Sequence, residues 1–163
     1  MALINLVADD TILLLDELFG DLAKITRVNG RSINSEQVAN ADALVLRSTA
    51  KVTPALLKGS KVQFVGTCTI GTDHLATDYM DANSIVWRNA PGCNAAGVAD
   101  YVIACLNHAW QTLGIDPSQQ TIGIVGAGNV GGQLSQRLQK AGFNLLQCDP
   151  PKADGGHQGY VEL

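Results

Sequence analysis

The stretch Thr121-Ile122-Gly123-Ile124-Val125-Gly126-Ala127-Gly128-Asn129-Val130-Gly131 decides how this chain is read. An apolar run of strand length leads straight into glycines spaced G-x-G-x-x-G. Val130, Leu134, Leu138 and Ala141 then place an apolar stripe on a helix, which Gly142 ends. Phe143 to Cys148 reads as a second strand, and Asp149 closes it 18 positions after Gly131. Strand, glycine loop, helix, strand and terminal acid together form the fingerprint of a dinucleotide-binding unit; the glycine spacing alone is a weak signal. Each position has a physical reason. Gly126 permits the tight turn, Gly128 lets the backbone approach a pyrophosphate, and Gly131 lets the helix pack against the strand. Asn129 and Val130 open the helix, whose N-terminal N–H groups and positive dipole end suit phosphate. Asp149 can accept hydrogen bonds from the adenine-ribose hydroxyls, and its charge repels a 2′-phosphate, so the expected cofactor is NAD rather than NADP. The competing reading of Asp149 is a strand-end cap.

Upstream, strand-like and helix-like segments alternate. Leu3 to Ala8, Ile25 to Val28, Ala43 to Leu46, Val62 to Gly66 and Ser84 to Trp87 are compact apolar runs. Between them, Thr11 to Ala23 carries Ile12, Leu15, Leu18, Phe19 and Leu22 at helical spacing. Ser35 can cap a short helix through Ala39, Pro54 to Leu57 fits a helical turn, and Asp73 to Ala82 looks helical. This rhythm predicts an α/β fold with a parallel sheet covered by helices on both faces. Pro91-Gly92 breaks it. Asn94 is a candidate N-cap for a long amphipathic helix with Val98, Tyr101, Val102, Cys105, Leu106, Ala109, Trp110 and Leu113 on one side. Gly114 ends that helix, and the tail from Pro150 to Leu163 reads as loop.

Composition narrows the function. Charged residues are 16% of the 163, the net charge is −4, and the 11 basic residues are scattered, so a nucleic-acid partner is not expected. No apolar run approaches the roughly 20 residues of a membrane helix, and the N-terminus meets Asp9 and Asp10 early, unlike a signal peptide. The four cysteines, Cys68, Cys93, Cys105 and Cys148, form no C-x-x-C pair and no zinc-spaced cluster. They read as reduced thiols, several of them buried, in a cytoplasmic protein with no metal site. Cys93 has no arguable base nearby and is not taken as a nucleophile.

Several segments taken together resemble the D-2-hydroxyacid dehydrogenase family: Asn89-Ala90-Pro91-Gly92-Cys93-Asn94-Ala95, Val98-Ala99-Asp100-Tyr101-Val102, and the glycine loop. Val45-Leu46-Arg47-Ser48, Phe64 to His74 and Cys148-Asp149-Pro150-Pro151-Lys152 extend the likeness over nearly the whole chain. The resemblance implies a flavodoxin-like substrate domain over residues 1–93. It further implies that residues 94–163 supply a bridging helix and the first half of a Rossmann NAD-binding domain. It implies substrate contacts at Ser48 and Thr69, with a small phosphorylated 2-hydroxy acid as substrate and a homodimer as the full-length form. Read from the residues alone, both hydroxyls serve equally well as turn caps at the C-terminal edge of a sheet, where ligands bind in open α/β folds. Arg47 either adds charge to the same loop or pairs with an acid.

In that family an Arg, a Glu and a His beside the nicotinamide carry the chemistry, in the second half of the NAD domain. The resemblance places none of them before Leu163. It implies no catalytic residue among these residues and no turnover by this chain alone. His74, His108 and His157 are read as structural or exposed. Two alternatives stand beside this reading: a dehydrogenase for another acid, such as 3-phosphoglycerate or glycerate, and a non-catalytic nucleotide-binding module dimerising through the helix from Val98 to Leu113.

Overall fold

A computed structural model describes residues 3–155, 159 and 160. The chain divides into two compact units that meet between Pro91 and Gly92. Among the described residues no helix is long and apolar enough to cross a membrane.

The first unit is a five-stranded parallel sheet built from β1 (Ile4–Asp9), β2 (Ala23–Val28), β3 (Ala43–Leu46), β4 (Phe64–Thr67) and β5 (Val86–Arg88), in the order β2-β1-β3-β4-β5. This is the flavodoxin-like order, with its switch point between β1 and β3. The inner strands β1, β3 and β4 are largely apolar runs with both faces covered, whereas the edge strands β2 and β5 are more polar and more exposed. Successive side chains alternate between two cores. Val7, Leu44, Leu46 and Val65 pack on one side with Val38, Leu56, Leu57 and Met80. Leu6, Ala8 and Ala43 pack on the other with Leu15 and Ala23.

The helices of this unit are α1 (Leu15–Phe19), α2 (Ser35–Val38), α3 (Pro54–Leu57) and α4 (Thr77–Ala82). The expected helix from Thr11 to Ala23 shrinks to five residues. Leu14 takes a left-handed φ of 59°, Gly20 closes the helix, and β2 already begins at Ala23. Leu18 and Leu22, read as core, are each 63% exposed. Asn34, not Ser35, caps α2: its side chain accepts from Gln37 N–H while the Gln37 side chain accepts from Asn34 N–H, a capping box. The helix expected from Asp73 starts only at Thr77, because Leu75 forms a parallel bridge with Val52 instead. Strand β5 is shorter than expected and begins after Ser84, which has a positive φ.

The second unit opens with α5 (Ala95–Leu113), which Gly114 ends at φ 65°. Strand β6 (Thr121–Val125) pairs in parallel with β7 (Asn144–Cys148), and α6 (Asn129–Lys140) connects them. Ala99, Ile124, Leu134 and Leu138 form the core, with Val102, Leu106 and Phe143 against it. Trp110 stacks on Phe143 at 5.2 Å. Asn94 makes no side-chain cap; the turn at Gly92, with φ 77°, leads directly into helical backbone. The apolar side of α5 is only partly used: Tyr101 is 70% and Leu113 68% exposed, and Cys105 is exposed too. Of the cysteines only Cys148 is buried, against the expectation that several would be. The tail expected to be loop forms α7 (Pro150–Asp154), with Asp149 as its N-cap and proline in its first turn.

Candidate functional site

The glycine loop has the geometry its spacing requires. Gly126 has φ 86°, a conformation that a Cβ would strain. A Cβ on Gly131 would lie 1.9 Å from the Gly126 carbonyl oxygen and 3.4 Å from Ile124 Cγ2, so helix α6 approaches loop and strand as only glycine allows. A Cβ on Gly128 would meet nothing within 4 Å, so that position faces open space, where a phosphate can approach. Helix α6 begins at Asn129, with Gly128 at the N-cap and no side-chain cap, so Asn129, Val130 and Gly131 lie in its first turn. Helix N–H groups there lack intrahelical partners. The loop residues therefore fit a dinucleotide pyrophosphate.

Asp149 is part of the loop itself. One carboxylate oxygen accepts from Ala127 N–H at 2.7 Å, and the other accepts from Lys152 N–H at 3.3 Å. The cap reading of this residue is thus realised, and the weaker of the two bonds leaves an oxygen available to a ribose hydroxyl. Sequence reasoning missed Lys152. Its ammonium donates to the Ala127 carbonyl, because α7 folds where loop was expected and carries that side chain back to the glycines.

In the first unit, a cleft of about 420 Å³ lies along the C-terminal edge of the sheet. Ser48, Lys51, Thr69, Gly71, Asp73 and His74 line it. Ser48 follows β3 and Thr69 follows β4, so the parallel sheet brings them to the same edge. The bridge between Val52 and Leu75 adds Lys51 and His74, each one residue before a bridge partner. Thr69 is held from both sides: its hydroxyl donates to the Gly71 carbonyl at 3.2 Å, and its carbonyl accepts from Ala90 N–H. The Thr67 hydroxyl lies 2.7 Å from that of Thr69 and 2.9 Å from His74 Nε2. Burial holds the His74 imidazole below its ordinary pKa, with the Asp73 charge opposing, so the ring is neutral near pH 7. His74, Lys51 and Thr67 are not picked out from sequence: the bridge brings Lys51 and His74 to the cleft, and Thr67 lies two residues before Thr69. His108 lies exposed on α5, and His157 lies outside the described residues.

Arg47 faces the neighbouring hollow instead, at the switch point between β1 and β3. Its guanidinium donates to the Thr11 hydroxyl at 3.1 Å, which in turn donates to Asp9 at 2.5 Å. It belongs with that buried acid rather than with Ser48.

The profile of the D-isomer specific 2-hydroxyacid dehydrogenase catalytic domain matches residues 3–147. The chain belongs to that family of oxidoreductases. Within it, the chain is 51% identical over 158 residues to the erythronate-4-phosphate dehydrogenase of Pseudomonas fluorescens (strain SBW25), covering 97% of this chain and 42% of that protein. It is also 51% identical over 159 residues to the enzyme of the same name from Pseudomonas savastanoi pv. phaseolicola (strain 1448A / Race 6). The chain thus spans about 42% of the length of these relatives. Two solved structures share the fold. The NAD+-bound 3-phosphoglycerate dehydrogenase of Entamoeba histolytica gives a TM-score of 0.76 at 20% identity, covering 99% of this chain and 58% of that one. A 2-hydroxyacid dehydrogenase of Ketogulonicigenium vulgare Y25 gives 0.77 at 17% identity, covering 99% and 59%.

Proposed function

We propose that these residues form the substrate-binding domain and the adenosine-side half of the cofactor domain of an NAD-dependent dehydrogenase. Its substrate is 4-phospho-D-erythronate, which it oxidises to the 2-oxo acid on the route to pyridoxal phosphate. The observation that carries this reading is the cleft in which Thr69 and Ser48 share a sheet edge with the Lys51 ammonium, a suitable seat for a small anion. The names of the relatives, erythronate-4-phosphate dehydrogenase, support this choice of acid.

Ser48 and Thr69 bind and orient the substrate's anionic groups through their hydroxyls, and Lys51 adds charge. On the cofactor side, Gly126, Gly128, Asn129, Val130 and Gly131 cradle the pyrophosphate, while Asp149 takes the adenine-ribose hydroxyls and disfavours a 2′-phosphate. NAD, when bound, supplies the hydride acceptor. The proton-transfer groups are expected outside these residues, so this chain by itself does not turn over. The full-length protein acts in the cytoplasm as a homodimer. The outward Tyr101 and Leu113 of α5 suit helix-to-helix contact.

Titration of the purified chain with NAD and NADP, beside Asp149→Asn, tests the cofactor half. Asn keeps an oxygen to cap α7 but removes the charge. Wild type is expected to prefer NAD, and the variant to lose that preference. Equal binding of both cofactors by wild type removes Asp149 as the selector. Measurable oxidation of the acid by this chain alone would overturn the assignment of the proton-transfer groups to residues elsewhere.

A further inference from the structure

The Thr69 and Thr67 hydroxyls and the His74 imidazole form a chain in which only one arrangement of protons keeps all three contacts. The Thr69 hydroxyl lies 3.2 Å from the Gly71 carbonyl, which can only accept, so Thr69 spends its single proton there. The 2.7 Å contact between the Thr67 and Thr69 hydroxyls must then use the proton of Thr67. Thr67 has no second proton, so its 2.9 Å contact with His74 needs a proton on Nε2. Thr67 is only 4% exposed, so water is poorly placed to substitute for either neighbour. A neutral ring with its proton on Nδ1 would reverse both bonds and draw the Thr69 proton inward, away from Gly71.

We propose that His74 is a positioning residue for the anion bound in this cleft: its Nε2–H drives a relay through Thr67 that leaves the Thr69 hydroxyl donating outward to the ligand. This rests on the reading of Ser48 and Thr69 as substrate contacts. The bond from Thr69 to Gly71 is the longest in the relay and the one at the cleft. An arriving carboxylate or phosphate oxygen replaces it with a shorter, charge-assisted bond. Hydrogen bonds aligned in one direction polarise each other, so the two groups behind Thr69 strengthen it as a donor. Lys51 and Asp73 are the charged groups lining the same cleft, and neither belongs to the relay. From sequence His74 reads as structural or exposed; here its ring nitrogen reaches the ligand-facing hydroxyl of Thr69 through buried Thr67.

Two measurements on the full chain test this. Long-range proton–nitrogen NMR of the histidine rings, assigned by the signals lost in His74→Gln, reads the tautomer directly. A protonated Nε2 at pH 8 is expected, and a protonated Nδ1 overturns the relay whatever the ligand does. Amide-shift titration with 4-phospho-D-erythronate then compares Thr69→Ala, Thr67→Val, Thr67→Ser and His74→Leu. Thr69→Ala is expected to weaken binding about tenfold, the scale of one charge-assisted bond. Thr67→Val and His74→Leu are expected to weaken it about threefold to tenfold, with no further loss when combined, and Thr67→Ser to restore it. Wild-type binding by Thr67→Val, with Thr69→Ala impaired, overturns the relay and leaves the cleft assignment standing. Unchanged binding by Thr69→Ala overturns the cleft assignment, and the relay's role with it.

Discussion

Asp9 is a carboxylate buried at the C-terminal end of β1, at 1% exposure. Burial alone would raise its pKa. Bonds from the Thr11 hydroxyl and N–H and from the Thr49 hydroxyl, with the Arg47 charge, outweigh that and hold it below the ordinary carboxylate range. A carboxyl with a lowered folded pKa stabilises the fold above its unfolded pKa, and that contribution is lost as pH falls through the folded pKa. Asp9→Ala should therefore cost about 1–3 kcal/mol at neutral pH in urea unfolding, and the gap to wild type should narrow in acid. A gap independent of pH would remove the charge from the explanation. Gly30 belongs to the same arrangement, since a Cβ there would lie 2.1 Å from an Asp9 oxygen. At this scale the sequence was legible where a residue acts through its backbone. The spacing of Gly126 and Gly131 matches the turn and the close approach they make, because both are local demands. Gly131→Ala is accordingly expected to unfold the second unit at lower temperature, by well over the roughly 1 kcal/mol span of a helix-propensity change. Lys51 and His74 were illegible because a bridge between distant residues places them, and Thr67, two residues from Thr69, carried no motif to mark it.

At the scale of elements, the buried strands were readable and the surface helices were not. Ala43–Leu46 matches its expected bounds because a strand covered on both faces must be apolar throughout, and Thr121–Val125 matches although Val125 is 69% exposed. Helix α1 failed because the spacing of Ile12, Leu15, Leu18, Phe19 and Leu22 is helical, yet Leu14 leaves helical backbone and Leu18 faces out. Tail helix α7 was hidden by its prolines, which read as breakers but are tolerated in a first turn after an N-cap. Helix α2 is short and depends on its ends. Asn34→Ala should cost about 1 kcal/mol by removing the capping box, whereas Ser35→Ala should cost little; circular dichroism melting of both variants checks this. If Ser35→Ala proves the more damaging, the cap has been placed one residue too early.

For the whole molecule, the strand order β2-β1-β3-β4-β5 and the second unit's strand–loop–helix–strand could be anticipated from the alternation of segments and from the family likeness. The division between Pro91 and Gly92 falls at the proline–glycine break in the pattern. If NAD binds only the second unit, a ligand at about 100 times its Kd stabilises that unit by about 2.7 kcal/mol. Hydrogen exchange should then slow in β6, α6 and β7 and stay unchanged in β1 to β5; protection spread evenly over both units would place the cofactor contacts elsewhere. The bond from Ala127 N–H to Asp149, together with the Lys152 ammonium on the Ala127 carbonyl, ties both backbone polar groups of Ala127, and so two successive loop peptides, to the start of α7. A loop held in this way has already met its ordering entropy during folding. Capture of the nucleotide should therefore proceed in one kinetic step, its observed rate rising in proportion to nucleotide concentration without reaching a plateau.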